Sequence, residues 1–206
     1  MEYSVTILNL RPRAIGPTLA RLRETLPTVK SGGEFLGCFS ADLGVLNRAM
    51  ILRGYPSAEP LSADREIMAR GGGDLTGLGD HVVNFTSRSF RPFPFMPPIA
   101  AGNFGPYYEV REYSIKPGGV DKVMNAWKGA LPRREKYSPN VAAMFSLDGT
   151  NAPGFMHIWP YKSLDDRATI RAKTVAEGIW PPEGYADQIV AQVSEIFVAA
   201  PFSPLR

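Results

Sequence analysis

The chain alternates between two periodicities, and they recur in the same order twice. Tyr3-Ser-Val-Thr-Ile-Leu-Asn-Leu10 alternates like a strand. From Pro12 to about Pro27, Ile15, Leu19, Leu22 and Leu26 recur at helical spacing, with Pro17 in the first turn, where its missing N–H is tolerated. Phe35–Ser40 and Arg48–Tyr55 read as strands joined through Asp42 and Gly44, as in a hairpin. Ser62–Arg70 reads as a short helix capped by Ser62 or Asp64 and closed by Gly71-Gly72-Gly73, and His81–Ser89 as a strand. The predicted order is β-α-β-β-α-β.

The same order returns after a Pro- and Phe-rich stretch. Tyr107–Ile115 is a strand that stops at Pro117-Gly118. A helix follows, with Val120, Val123, Met124, Trp127 and Leu131 on one stripe. Asn140–Ser146 and Phe155–Pro160 are expected as strands joined through Asp148-Gly149. Ser163-Leu-Asp-Asp166 resembles a capping box and opens a helix expected to turn Leu164, Ala168 and Val175 inward, with Arg167 and Arg171 on another stripe. Gly178 ends it, Trp180 anchors a loop, and Asp187–Val198 is the last strand.

Residue offsets support a doubled unit. Pro117 lies 105 residues after Pro12, and Leu131-Pro132 lies 105 after Leu26-Pro27. Phe145-Ser146 and Tyr161 follow Phe39-Ser40 and Tyr55 by 106, and Phe197 follows Phe90 by 107. That period is the size of a small domain rather than of a solenoid repeat. The expected division is 1–90, a linker over 91–106 whose aromatics pack onto one of the units, and 107–206. Each unit would lay two helices on one face of an antiparallel sheet and leave the other face bare. The expected fold is therefore α+β: two tandem ferredoxin-like βαββαβ units whose bare sheets meet as an α/β barrel. Alternatively, each unit would seek its complement in a second chain.

Composition narrows the function classes. The net charge is +3, divided as 11 basic and 9 acidic residues in 1–103 and 12 and 11 in 104–206, so no basic arm marks a nucleic-acid partner. The single cysteine, Cys38, precludes an internal disulfide and a Cys-cluster zinc site, and it reads as a buried small hydrophobe. Two histidines, one per unit, make a metal site improbable. With no charged-then-apolar leader and no run suited to a membrane span, the expectation is a soluble, cytoplasmic protein. No phosphate-binding glycine loop is present: Gly71–Gly77 lacks the following Lys-Ser/Thr.

The candidate chemistry lies in the second unit. Glu109, Arg111 and Tyr113 share one face of their strand. If that face points into the barrel, a carboxylate, an anion clamp and a phenol converge there, and Arg111 would hold a substrate carboxylate. The competing reading is an internal Glu–Arg pair. His157 shares a face with Phe155 and Trp159, where it is a candidate acid or base, or else a satisfied buried histidine. Arg167 and Arg171, one turn apart, could bind an anion, or Arg167 could pair with Asp166 or Glu109. The site expected from these residues assigns proton transfer to His157 and Glu109, and substrate binding to Arg111, Tyr113, Trp159 and Arg167.

Tyr108-Glu-Val-Arg-Glu-Tyr-Ser-Ile-Lys-Pro-Gly118, His157-Ile-Trp-Pro-Tyr-Lys-Ser-Leu-Asp-Asp-Arg167-Ala-Thr-Ile-Arg171, Trp180 and Phe202-Ser-Pro-Leu205 resemble the NIPSNAP family. The resemblance implies a ferredoxin-like fold within the dimeric α/β-barrel group. Relatives there include cofactor-light oxygenases, isomerases, lyases and haem-degrading enzymes, and animal members are linked to mitochondria and vesicle traffic. It suggests a small-molecule ligand with no cofactor, haem through one axial histidine being the alternative, and a homodimer or higher homo-oligomer. A non-catalytic binding or scaffold role is the competing function. The first unit departs from the signature, with Ser4-x-Thr6-x-Leu8 where the second has Glu109-x-Arg111-x-Tyr113.

Overall fold

The computed structural model describes residues 1–149 and 153–206. The first unit comprises β1 (Glu2–Leu10), α1 (Ile15–Thr25), β2 (Glu34–Leu43), β3 (Arg48–Tyr55), α2 (Ala58–Ala69) and β4 (Val82–Pro92). The second comprises β5 (Tyr107–Ile115), α3 (Val120–Arg134), β6 (Ala142–Ser146), β7 (Gly154–Tyr161), α4 (Leu164–Ala176) and β8 (Ile189–Ala199). The eight strands close into one antiparallel barrel in the order β1-β3-β2-β8-β5-β7-β6-β4. Each unit contributes four neighbouring strands, and the seams are β2–β8 and β4–β6. The bare faces of the two sheets thus cover each other within one chain.

Strand alternation sorts the apolar residues into three layers. The lumen holds Val5, Met50, Phe90, Tyr108, Val110, Met156, Ile158 and Phe197 among others. A second cluster lies between the first unit's sheet and its helices, built around Leu8, Leu22, Cys38 and Ile51. Cys38 is fully buried there, and burial pushes its thiol up to about 12. The third cluster lies under α3 and α4 and is mainly aromatic: Phe93, Tyr113, Trp127, Phe155, Trp159 and Tyr185. Phe93, in the Pro-rich segment after β4, packs into this third layer, and Ile99 donates its N–H to the Tyr3 hydroxyl at 3.0 Å. The C-terminal segment folds back so that Leu205 enters the lumen and Ser203 Oγ accepts from the Cys38 N–H at 3.0 Å.

Two helices differ from expectation. Helix α2 begins at Ala58 after Ser57, four residues earlier than its predicted start. Pro60 sits in its first turn, where no backbone donor is needed. Asp64 caps nothing: it accepts from Tyr55 Oη at 3.0 Å, from Gly32 N at 3.2 Å and from Ser31 Oγ, tying the helix to the loop before β2.

Helix α4 is capped as the sequence suggests, Ser163 Oγ accepting from Asp166 N at 3.0 Å. Its faces are inverted, however. Leu164, Ala168 and Val175 are exposed, whereas Arg167, Ile170, Arg171 and Thr174 face the sheet. A buried carboxylate in β5 requires counter-charge, and the arginine stripe supplies it.

Candidate functional site

β5 lies at the centre of the second unit's sheet, paired with β7 on one side and β8 on the other. Its lumen face carries Tyr108, Val110 and Glu112, so Glu109, Arg111 and Tyr113 point away from the barrel, toward α3 and α4. The conditional placement of this triplet in the lumen is therefore corrected. The lumen is an apolar seam between two sheets, and the polar triplet belongs to the helix layer. Register sets Arg111 opposite His157 and Ser194, and Glu109 opposite Trp159.

Glu109 is fully buried and is the hub of the site. Its carboxylate accepts from Arg111 Nη1 at 2.8 Å, Arg167 Nη2 at 2.7 Å and Ser194 Oγ at 2.8 Å, and Arg171 Nη1 lies at 3.6 Å. Burial alone would push this carboxyl up. The hydrogen bond of Arg167, the charge of Arg171, and the hydrogen bond and charge of Arg111 together outweigh burial and hold it at about 2. Three guanidinium groups thus share one carboxylate. A fourth, Arg134, is buried beneath them, donating to Ser138 Oγ at 2.7 Å and lying over the Trp159 ring at 4.4 Å.

Arg111 and Tyr113 form one wall of an open cleft of about 270 Å³. Arg171 and Thr174 of α4, Trp180 to Pro182, Tyr185, and Ile189 and Gln192 of β8 contribute to the rest. Arg111 Nε donates to Tyr113 Oη at 2.8 Å, which fixes both side chains at the wall. Polar donors therefore sit at one part of the cleft and aromatic rings at another, the usual arrangement of a small-molecule site.

The other expected site residues lie behind this wall. His157 is 1% exposed, flanked by Phe155, Tyr113 and Trp127, and its Nδ1 accepts from Trp159 Nε1 at 2.6 Å. Burial, and next the charge of Arg111, keep His157 well below its ordinary 6.5. Trp159 is buried in the same cluster, and Arg167 covers Glu109. Neither His157 nor His81 lines the cleft. Arg111 and Tyr113, and Arg167 with Glu109, are brought together as expected. Trp180 and Tyr185 join the cleft through a loop whose folding back the local pattern does not announce, and Gln192 joins it from β8.

The first unit has no counterpart. Ser4, Thr6 and Leu8 occupy the positions of Glu109, Arg111 and Tyr113, and Thr6 bonds Ser87 at 3.1 Å. Arg65, the counterpart of Arg167, pairs instead with Asp148 at 2.7 Å. The first unit's buried ion pair is a different one, Arg53 with Asp74.

Comparison with known proteins places this geometry. The chain is similar to the protein NipSnap of Drosophila melanogaster, 26% identical over 198 residues, which is 92% of this chain and 70% of that protein. Solved structures extend the likeness to the fold alone. One is a proposed monooxygenase from Lactobacillus acidophilus, at a TM-score of 0.65 and 10% identity, covering 97% of this chain and 93% of that one. Another is an anthrone oxidase-like protein, at 0.65 and 12%, covering 96% and 90%. Residues 108–204, which span β5 to the folded-back C-terminal segment, match the NIPSNAP family model. This second unit, which carries the Glu109–Arg111–Tyr113 strand and the arginine helix above it, is therefore a NIPSNAP family domain.

Proposed function

We propose that the cleft binds a modest apolar or aromatic molecule through a carboxylate or carbonyl. The observation that carries this reading is the imbalance of charge at the wall. Arg111, Arg167 and Arg171 share the single carboxylate of Glu109, and Arg111 and Arg171 also face the cleft. A guanidinium left with free donors recognises a carboxylate in a planar, bidentate way. Tyr113, Trp180 and Tyr185 supply flat surface for the rest of the ligand.

The placement of the acid–base candidates supports binding ahead of proton transfer. Glu109 is ionised, fully engaged and sealed from the cleft, and His157 is enclosed by aromatic rings. If this site moves a proton without a cofactor, Tyr113 is the group that both touches the cleft and is hydrogen-bonded to an arginine.

Calorimetric titration with benzoate and its neutral twin benzamide tests the reading. Benzoate is expected to bind the wild type, benzamide at least about tenfold more weakly, and Arg171→Gln to lose most benzoate affinity, as loss of one charged hydrogen bond implies. Equal binding of the two compounds, or full benzoate affinity in Arg171→Gln, would remove the assignment.

A further inference from the structure

The barrel has a second cavity, independent of the cleft. One end of the lumen is plugged: Ile99 bonds the Tyr3 hydroxyl, and Leu205 N–H donates to Leu36 O at 3.2 Å. At the other end, around Asn9, the lumen opens into a cavity of about 230 Å³. Inside a polar rim that includes Asn9 and Thr86, its wall is apolar and drawn from both units: Val5, Ile7, Met50, Val110, Met156 and Phe197.

Two ion pairs cross this mouth. Arg48 of β3 meets Glu195 of β8, and Arg88 of β4 meets Glu112 of β5. In the barrel order, β2 intervenes between the first two strands, and β6 and β7 between the second two, so each pair bridges the rim from one unit to the other. The rim carries two positive and two negative groups, each matched. Arg88 also lies over Phe90, and Arg48 over Phe197. An entering ion of either sign would have to break a pair and leave a like charge beside itself. A neutral molecule meets no such cost.

The lumen also contains a hydrogen-bonding group without a partner among the described residues. Tyr108, two residues before Val110 on the same face of β5, is fully buried, and its hydroxyl makes no hydrogen bond among the described residues. Burial pushes its pKa up from the ordinary phenol value, so it stays a neutral phenol. A buried hydroxyl left unpaired is costly, and a ligand oxygen within the lumen would remove that cost.

We infer that the barrel mouth is a second binding site, selective for a small neutral compound that has one hydroxyl or carbonyl on an apolar ring or short chain. The size suits it: an apolar cavity of about 150 Å³ already holds benzene. The flexible thioethers of Met50 and Met156 let the wall adjust to shape. This selectivity is the opposite of that of the cleft, where the arginine excess favours an anion.

The test uses the full chain labelled with ¹³C at the methionine methyl groups, titrated with p-cresol. Saturable shifts are expected for Met50 and Met156, in the lumen, with Met68 and Met124, in the helix layers, unmoved. The charged analogue p-toluate is expected to leave Met50 and Met156 in place. Ile7→Phe, which fills the cavity, is expected to abolish the p-cresol shifts, and Arg171→Gln, which disables only the cleft, to leave them intact. Absence of saturable shifts in the wild type would overturn the inference, whether or not Ile7→Phe folds. So would equal shifts with p-toluate, or loss of the p-cresol shifts in Arg171→Gln.

Discussion

Arg167 Nη2 lies 2.7 Å from Oε1 of Glu109, joining the first turn of α4 to the middle of β5 across 58 residues of sequence. This contact decides which side of α4 faces the sheet. It turns a stripe of two arginines inward and leaves alanine, leucine and valine in solvent, and it places Arg171 at the cleft.

Glu109→Gln should destabilise the fold strongly. The amide keeps the shape but removes the only carboxylate within salt-bridge distance of Arg167 and Arg171 among the described residues. Breaking a buried pair from one side costs about 3–5 kcal/mol. Urea denaturation at neutral pH checks this. A loss under about 1 kcal/mol would mean that water already screens the cluster.

The same pair makes acid stability predictable in sign. Glu109 is held at about 2 against an ordinary value of 4.5, so its contribution is complete above 4.5 and is lost as pH falls toward 2. The stability gap between wild type and Glu109→Gln should therefore narrow across that interval. A gap independent of pH from 5 to 2 would show that the carboxyl is not depressed.

His157 should act in a different window. It is buried and neutral when folded, whereas the unfolded chain takes up a proton below 6.5. Its contribution is therefore present above 6.5 and is lost progressively as pH falls below it. The hydrogen bond from Trp159 to Nδ1 also fixes the tautomer, with the proton on Nε2. Nitrogen-15 correlation spectra of the imidazole at pH 7 and pH 5 should show unprotonated Nδ1 and protonated Nε2 at both. A normal titration near 6.5 would contradict the burial.

The inverted helix face gives a direct contrast. Ala168→Gln should change stability by no more than about 0.5 kcal/mol, as expected of an exposed position. Arg167→Met, next to it in sequence, should cost at least about 2 kcal/mol by withdrawing a charged hydrogen bond from a buried carboxylate. Thermal melts of the two variants compare them, and the reverse order would put the apolar stripe back in the core.

Much of this architecture is legible in the chain. Period-two and helical patterns identify eight strands and four helices, because burying one face of each element demands those spacings. The NIPSNAP signature marks the second unit, and the loss of its charged residues at Ser4, Thr6 and Leu8 shows that the first unit lacks the cluster. Cys38 and Trp127 sit in the core, as their apolar settings suggest. Helix α2 is the local exception: two polar residues resemble caps, but Asp64 bonds a loop 32 residues earlier in sequence.

Alternation along β5 shows that Glu109, Arg111 and Tyr113 share a face, but it cannot say whether that face meets the lumen or the helices. Both environments are interior, and period two is the same from either side. Nor can periodicity orient α4, where an apolar stripe and an arginine stripe compete for the sheet. The sequence by itself determined the doubled element order, the family resemblance of the second unit, and that Glu109, Arg111 and Tyr113 share one face of their strand. Only the tertiary structure decided which side of β5 is the lumen and that Glu109 is spent on arginines rather than on a ligand, because closing the barrel and pairing a buried charge depend on partners far apart in the chain.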